Sequence, residues 1–175
     1  MRPPSDIERR RVIDGIEQAF GNVRRGEGTT LHETEVLDDY GSDQELAAAR
    51  ALDIDTRWQD VADELIAEHS GALCFVDPAG FRYYIPAYMR WTVKYFDAGT
   101  GSESALHTVF VLTPNRRFQE DGAKLERFRV FSRDESRVIC EFLRLMAEHA
   151  DFSTQVLATN ALEDYWGRFC QDPSE

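Results

Sequence analysis

The sequence predicts a mainly α-helical, single-domain bundle packed around a central helix broken at Pro86. Three observations carry that expectation. The length, 175 residues, fits one domain of ordinary size. Apolar residues recur every three to four positions through much of the chain. Capping boxes, in which a Ser or Thr is answered three residues later by Glu or Gln, stand just ahead of several of these periodic runs.

The first helix opens at Ser5 with Glu8, and Ile7, Val12, Ile13, Ile16 and Phe20 mark its apolar side until Gly21 stops it. Residues 21–42 hold Gly21, Gly26, Gly28 and Gly41, and read as a long, partly mobile connection with about one turn of structure. An alanine-rich stretch from Ser42 to Leu52 suggests a short helix. Thr56 with Gln59 offers a capping box for a helix reaching His69, with Trp58, Val61, Leu65 and Ile66 inside.

The stretch from Leu73 to Phe96 sets the centre. Asp77 can cap the free amides of a helix whose first position is Pro78. Pro86 lacks an amide donor and pushes Ile85 towards extended geometry, so the chain is expected to form a helix over 78–84, break at Ile85, and resume over 86–97 until Gly99. The second piece carries two apolar stripes, one of Ile85, Met89, Val93 and Phe96, the other of Tyr84, Tyr88, Trp91 and Tyr95. A helix apolar on most of its circumference is covered by neighbours on several sides.

Residues 106–112 and 125–131 fit helix or strand, and Asp121-Gly122 between them is a turn signal, so a short β-hairpin between 106 and 131 stays open. Ser132 with Glu135 starts a clearer helix that buries Val138, Ile139, Phe142, Leu143 and Met146. A last helix runs from Phe152 to Phe169 and buries Val156, Leu162, Trp166 and Phe169. Residues 171–175 read as a disordered tail of the single domain 1–175.

Charge is distributed unevenly. The formal net charge is −12, with 20 basic and 32 acidic side chains. Residues 27–81 hold fourteen of the acids against only Arg50 and Arg57, while residues 1–26 carry six Arg and four acids. An acidic surface repels phosphate, so nucleic acid is excluded as a general partner. No apolar run approaches the ~20 residues of a membrane span, and none of signal-peptide type follows Met1, so a cytoplasmic location is expected.

Residue types with reactive chemistry occur without the spacing that chemistry requires. Cys74, Cys140 and Cys170 are far apart, which argues against zinc or a disulfide scaffold; Cys74 and Cys140 are expected to pack as small hydrophobes. His32, His69, His107 and His149 are isolated in sequence. Asp53-Ile54-Asp55-Thr56-Arg57-Trp58 fails as a calcium loop, with Trp58 where glycine is needed and Arg57 where an oxygen ligand is needed. Gly99-Thr100-Gly101-Ser102 lacks the ending of a phosphate loop. We expect no catalytic residues, no metal ligands and no cofactor.

Pro78, Phe81, Arg82, Tyr83, Tyr84, Ile85, Pro86, Ala87 and Tyr88, with Trp58-Gln59-Asp60-Val61 upstream and Ala161-Leu162-Glu163-Asp164-Tyr165-Trp166 near the end, resemble an uncharacterised bacterial family, a domain of unknown function. That family's pattern reads Phe-Arg-Tyr-Tyr-Leu-Pro-Ala-Tyr, with Ile85 here in place of the leucine. The resemblance implies no activity.

Two functional expectations follow from the residues themselves. The first is a non-enzymatic module that binds a basic protein through an acidic face of Glu33, Glu35, Asp38, Asp39, Asp43 and Glu45; an immunity or inhibitor role against a basic toxin is one concrete form. The second is a small-molecule binder or enzyme with an anion pocket around Arg82, Tyr83, Tyr84 and Tyr88.

Overall fold

The computed structural model describes residues 2–96, 101–114 and 122–170. Its elements are α1 (Asp6–Phe20), α2 (Leu31–Asp38), α3 (Asp43–Arg50), α4 (Asp63–Glu68), α5 (Pro78–Lys94), α6 (Gly101–Leu112), α7 (Gly122–Phe128), α8 (Arg133–His149) and α9 (Phe152–Asp164). Short 3-10 turns lie at Trp58–Asp60, Ala72–Cys74 and Trp166–Phe169. There is no strand among the described residues.

Helix α5 occupies the centre and touches α1, α4, α6 and α7. It continues through Pro86 without the break expected at Ile85. Twelve of its seventeen residues are buried, Pro86 among them. A mid-helix proline costs roughly 3 kcal/mol, and burying a Tyr, Ile or Met side chain returns about 2 kcal/mol each, so packing on all sides outweighs the lost backbone bond. The helix ends at Lys94; the expected stop at Gly99 lies outside the described residues.

The β-hairpin left open for 106–131 is not formed. Residues 106–112 belong to α6 and 125–128 to α7. Buried Ala105, Thr108, Val109 and Leu112 fall at i, i+3, i+4 and i+7, the helical period, and so face α5 and α9 together. Asp121 lies outside the described residues, and Gly122 opens α7 rather than closing a turn.

Three further boundaries differ from expectation. The 21–42 connection contains α2, eight residues long and opened by a capping box of Thr30 and Glu33. The helix expected from Thr56 to His69 splits into the Trp58–Asp60 turn and α4, because the Trp58 indole is pulled into the core, where its Nε1–H donates to the Phe20 carbonyl at 2.9 Å. The last helix stops at Asp164, where the chain turns so that Trp166 enters the core and donates to the Leu112 carbonyl at 2.7 Å. Val156, expected inside, is 43% exposed. The boxes at Ser5/Glu8 and Ser132/Glu135 form as the sequence indicates.

The cysteines also differ. Cys140 of α8 and Cys170 are joined as a disulfide, their Cα atoms 5.6 Å apart, and Cys74 is exposed rather than packed. Their distance of thirty residues along the chain concealed a pair that the α8–α9 hairpin brings together.

Candidate functional site

The acidic segment is gathered into an antiparallel hairpin of α2 and α3. Thr30 with Glu33 and Ser42 with Glu45 cap the two N-termini through their side chains and backbone amides. Between them the chain reverses in a Schellman motif: the Gly41 N–H donates to the Val36 carbonyl at 2.8 Å, and the Tyr40 N–H donates to the Leu37 carbonyl at 3.3 Å. The position with left-handed backbone in such a motif favours glycine. Here Tyr40 occupies it, at φ 55°, and Gly41 follows, where a Cβ would meet the Val36 side chain at 2.5 Å.

The hairpin is fastened to the domain by polar bonds. Arg50 Nε donates to Glu33 Oε1 at 3.0 Å, and its Nη2 reaches the carbonyls of Glu27 and Gly28 at 3.1 and 3.2 Å. The buried Asp53 carboxylate accepts from the His32 N–H at 3.0 Å and lies 2.9 Å from His32 Nδ1. His69 Nδ1 sits 3.3 Å from Glu35, and the His32 and His69 rings meet edge to face at 5.0 Å. Gly28 and Gly80 bring two backbones together where a Cβ on Gly28 would lie 2.5 Å from the Gly80 nitrogen, so the approach needs both glycines.

Beneath the hairpin, Arg25 ties the next loop to α5. Its Nη1 donates to the Tyr84 hydroxyl at 2.9 Å and lies 3.4 Å from Asp55, while its Nη2 donates to the Asp53 carbonyl at 3.2 Å. Tyr83 donates to Asp55 at 2.7 Å, and Tyr88 donates to the His69 carbonyl at 2.6 Å. Burial, followed by the hydrogen bond to Asp55, holds the Tyr83 phenol well above the ordinary tyrosine range. Burial does the same for Tyr84 and Tyr88. These phenols stay neutral and serve as hydrogen-bonding groups rather than bases.

The residues of the two expected sites therefore lie as follows. Tyr83, Tyr84 and Tyr88 are fully buried along α5. Arg82 points away from them to α8, where its Nε and Nη2 grip Glu135 at 3.1 and 2.8 Å, the same carboxylate that caps α8 through Ser132. The structure does not bring Arg82 together with the tyrosines; Arg25 is the guanidinium that meets them. On the acidic face, Glu35, Asp38, Asp39, Asp43 and Glu45 are exposed, whereas Glu33 is turned inward onto Arg50.

Sequence reasoning missed Arg25, His32, Asp53 and Asp55 as one cluster, and missed Tyr40 altogether. The Asp-x-Asp spacing of 53 and 55 was visible, and its two carboxylates take hydrogen bonds from His32 and Tyr83. The signal for Tyr40 was also present: Asp39-Tyr40-Gly41 places glycine one residue beyond the helix-stopping position.

Elsewhere, an open groove of about 860 Å³ runs between α1 and α8. Its floor is Gly15, Ala19 and Val138, and its rim charges pair loosely with each other, Arg11 with Glu141 at 3.9 Å and Arg137 with Asp134 at 3.7 Å. Among the described residues no three His, Cys, Asp or Glu side chains are placed to hold a metal ion, and no helix is long and apolar enough to cross a membrane.

The fold and its polar cluster define an all-α domain with an acidic helical hairpin docked beside an aromatic central helix. Residues 8–169 match the model of a family of unknown function, DUF6714, and the chain belongs to that family. No curated protein and no solved structure matches the chain.

Proposed function

We propose that the protein binds a basic protein through the exposed face of the α2–α3 hairpin. The observation that carries this reading is Tyr40: a large aromatic, 96% exposed, displayed at the hairpin tip on left-handed backbone and flanked by Asp38, Asp39 and Asp43. A non-glycine residue held in that conformation costs about 1 kcal/mol, and strain of this kind accumulates at functional positions. Leu37, partly exposed, precedes Tyr40 at the end of α2, and Leu52 and Ile54, 63% and 88% exposed, follow α3. Aromatic anchors ringed by polar groups dominate protein interfaces. The surrounding carboxylates select a Lys/Arg-rich partner and speed its approach. An inhibitor or immunity protein that neutralises a basic toxin is one form of this function.

The test measures binding of short Lys/Arg-rich peptides, each carrying one apolar residue. The full chain should bind them with an affinity that falls with ionic strength. The combined variant Asp38→Asn, Asp39→Asn, Asp43→Asn should bind about tenfold or more weakly, a loss of ~1.4 kcal/mol or more. Equal binding by the neutralised variant would overturn the reading.

A further inference from the structure

We propose that Cys140 and Cys170 form a reversible redox latch that fastens the C-terminal aromatic turn to α8. The Cα separation of 5.6 Å lies within the span of a disulfide. Cys140 is fully buried in α8, and Cys170, half-buried, closes the Trp166–Phe169 turn. The bond encloses the second half of α8 and the whole of α9 in one loop.

The position of Cys170 makes the latch openable. It follows directly on the Trp166–Phe169 turn, so opening the bond loosens that turn's tie to α8 and leaves α5 and its neighbours packed. That turn keeps other attachments, the Trp166 indole on the Leu112 carbonyl and the ring contacts of Trp166 with Phe128 and Phe131 at 4.9 and 5.8 Å. Cys170 is half-buried while Cys140 is fully buried, so a small thiol or disulfide approaches from the Cys170 side and exchange begins at the Cys170 sulfur. In closing, a low-molecular-weight disulfide is attacked by the Cys170 thiolate to give a mixed disulfide. Cys140 then displaces the second small thiol. The two protein thiols give up two protons and two electrons, and the disulfide leaves as two thiols; excess small thiol runs the exchange backwards. Cys74, exposed on the Ala72–Cys74 turn, stays outside the pair.

The experiment equilibrates the full chain in glutathione buffers of oxidising and reducing ratio, then counts thiols by alkylation and mass and records Tm. In the oxidising buffer only Cys74 should be left outside a protein disulfide, counted by mass as one thiol whether free or carrying glutathione, against three thiols in the reducing buffer, with Tm about 10 °C higher when oxidised. Cys170→Ser, at a half-buried position, should melt alike in both buffers, and Cys74→Ser should keep the full shift. Three thiols in both buffers would show that the pair does not form. One thiol in both would show a permanent bond. A redox-dependent Tm in Cys170→Ser would place the effect elsewhere. Each of these three results overturns the proposal.

Discussion

In α5, twelve of seventeen residues are buried, whereas α3 buries only Ala49 and α2 only Leu31, Glu33 and Thr34. The centre of the molecule is held by rings and aliphatic chains packed against one another. Phe20 and Phe81 both pack on Phe131, which in turn meets Trp166, at centroid distances of 5.8–6.1 Å. The hairpin is held instead by two capping boxes, an Arg50–Glu33 pair and the His32–Asp53 contact. Apolar burial does not depend on the ionisation of side chains; capping by carboxylates and ion pairing do. The comparison teaches that one part of this chain is held by burial and the other by polar contacts, and substitutions in each should behave accordingly.

The largest difference should come from truncating an apolar side chain in each region. Trp91→Ala removes a ring that is 5% exposed on α5, and should cost about 3–5 kcal/mol in chemical denaturation. Ile54→Ala removes a side chain that is 88% exposed, and should change stability by less than about 0.5 kcal/mol. A Trp91→Ala cost as small as that of Ile54→Ala would dissolve the distinction.

Next in size is the α5–α8 clamp. Glu135 is almost fully buried and Arg82 is 40% exposed, so Arg82→Ala leaves a carboxylate without its cation. Discounting for the solvent that reaches Arg82, a loss of about 2 kcal/mol is expected from urea melts, with Arg82→Lys recovering only part because it lacks the two-pronged geometry. An unchanged urea midpoint for Arg82→Ala would remove the clamp from the account.

Acid should then act on the hairpin before the centre. The Ser42 backbone N–H, and then the Ser42 hydroxyl, hold the Glu45 carboxyl below its ordinary value of 4.5. A lowered folded value means the charged form is favoured by folding. Its contribution is therefore complete well above pH 4.5 and is lost as the pH falls through the lowered folded value. Hydrogen exchange at the start of α3 should accelerate below that point while α5 amides stay protected, and Glu45→Gln should flatten the dependence. Equal acceleration in α3 and α5 would contradict the division.

The sequence carried the centre more fully than the hairpin, for physical reasons. Ser5/Glu8, Ser132/Glu135 and Asp77-Pro78 are local signals, complete within four residues, and each starts a helix where it stands. The aromatic stripe of α5 announced burial through its own spacing. Pro86 misled because its backbone penalty is local, while the packing that overrides it comes from four other helices. Thr56/Gln59 misled because Trp58 gains more inside the core than a helix would gain from the cap. The cluster of Arg25, His32, Asp53 and Asp55 with Tyr83 and Tyr84 joins residues up to 59 apart in sequence, and no periodicity encodes such a meeting. Cys140 and Cys170 were hidden in the same way by the turn between α8 and α9.

A modest gain in stability bears most directly on the reading proposed for the hairpin. Tyr40→Gly places in the left-handed position the residue that position favours, and should raise stability by about 1 kcal/mol. Measured against the same Lys/Arg-rich peptides, this more stable variant should bind at least about tenfold more weakly than the natural chain. Undiminished peptide binding by Tyr40→Gly would contradict the account, because the tip aromatic would then be carried at a cost in stability with no part in recognition.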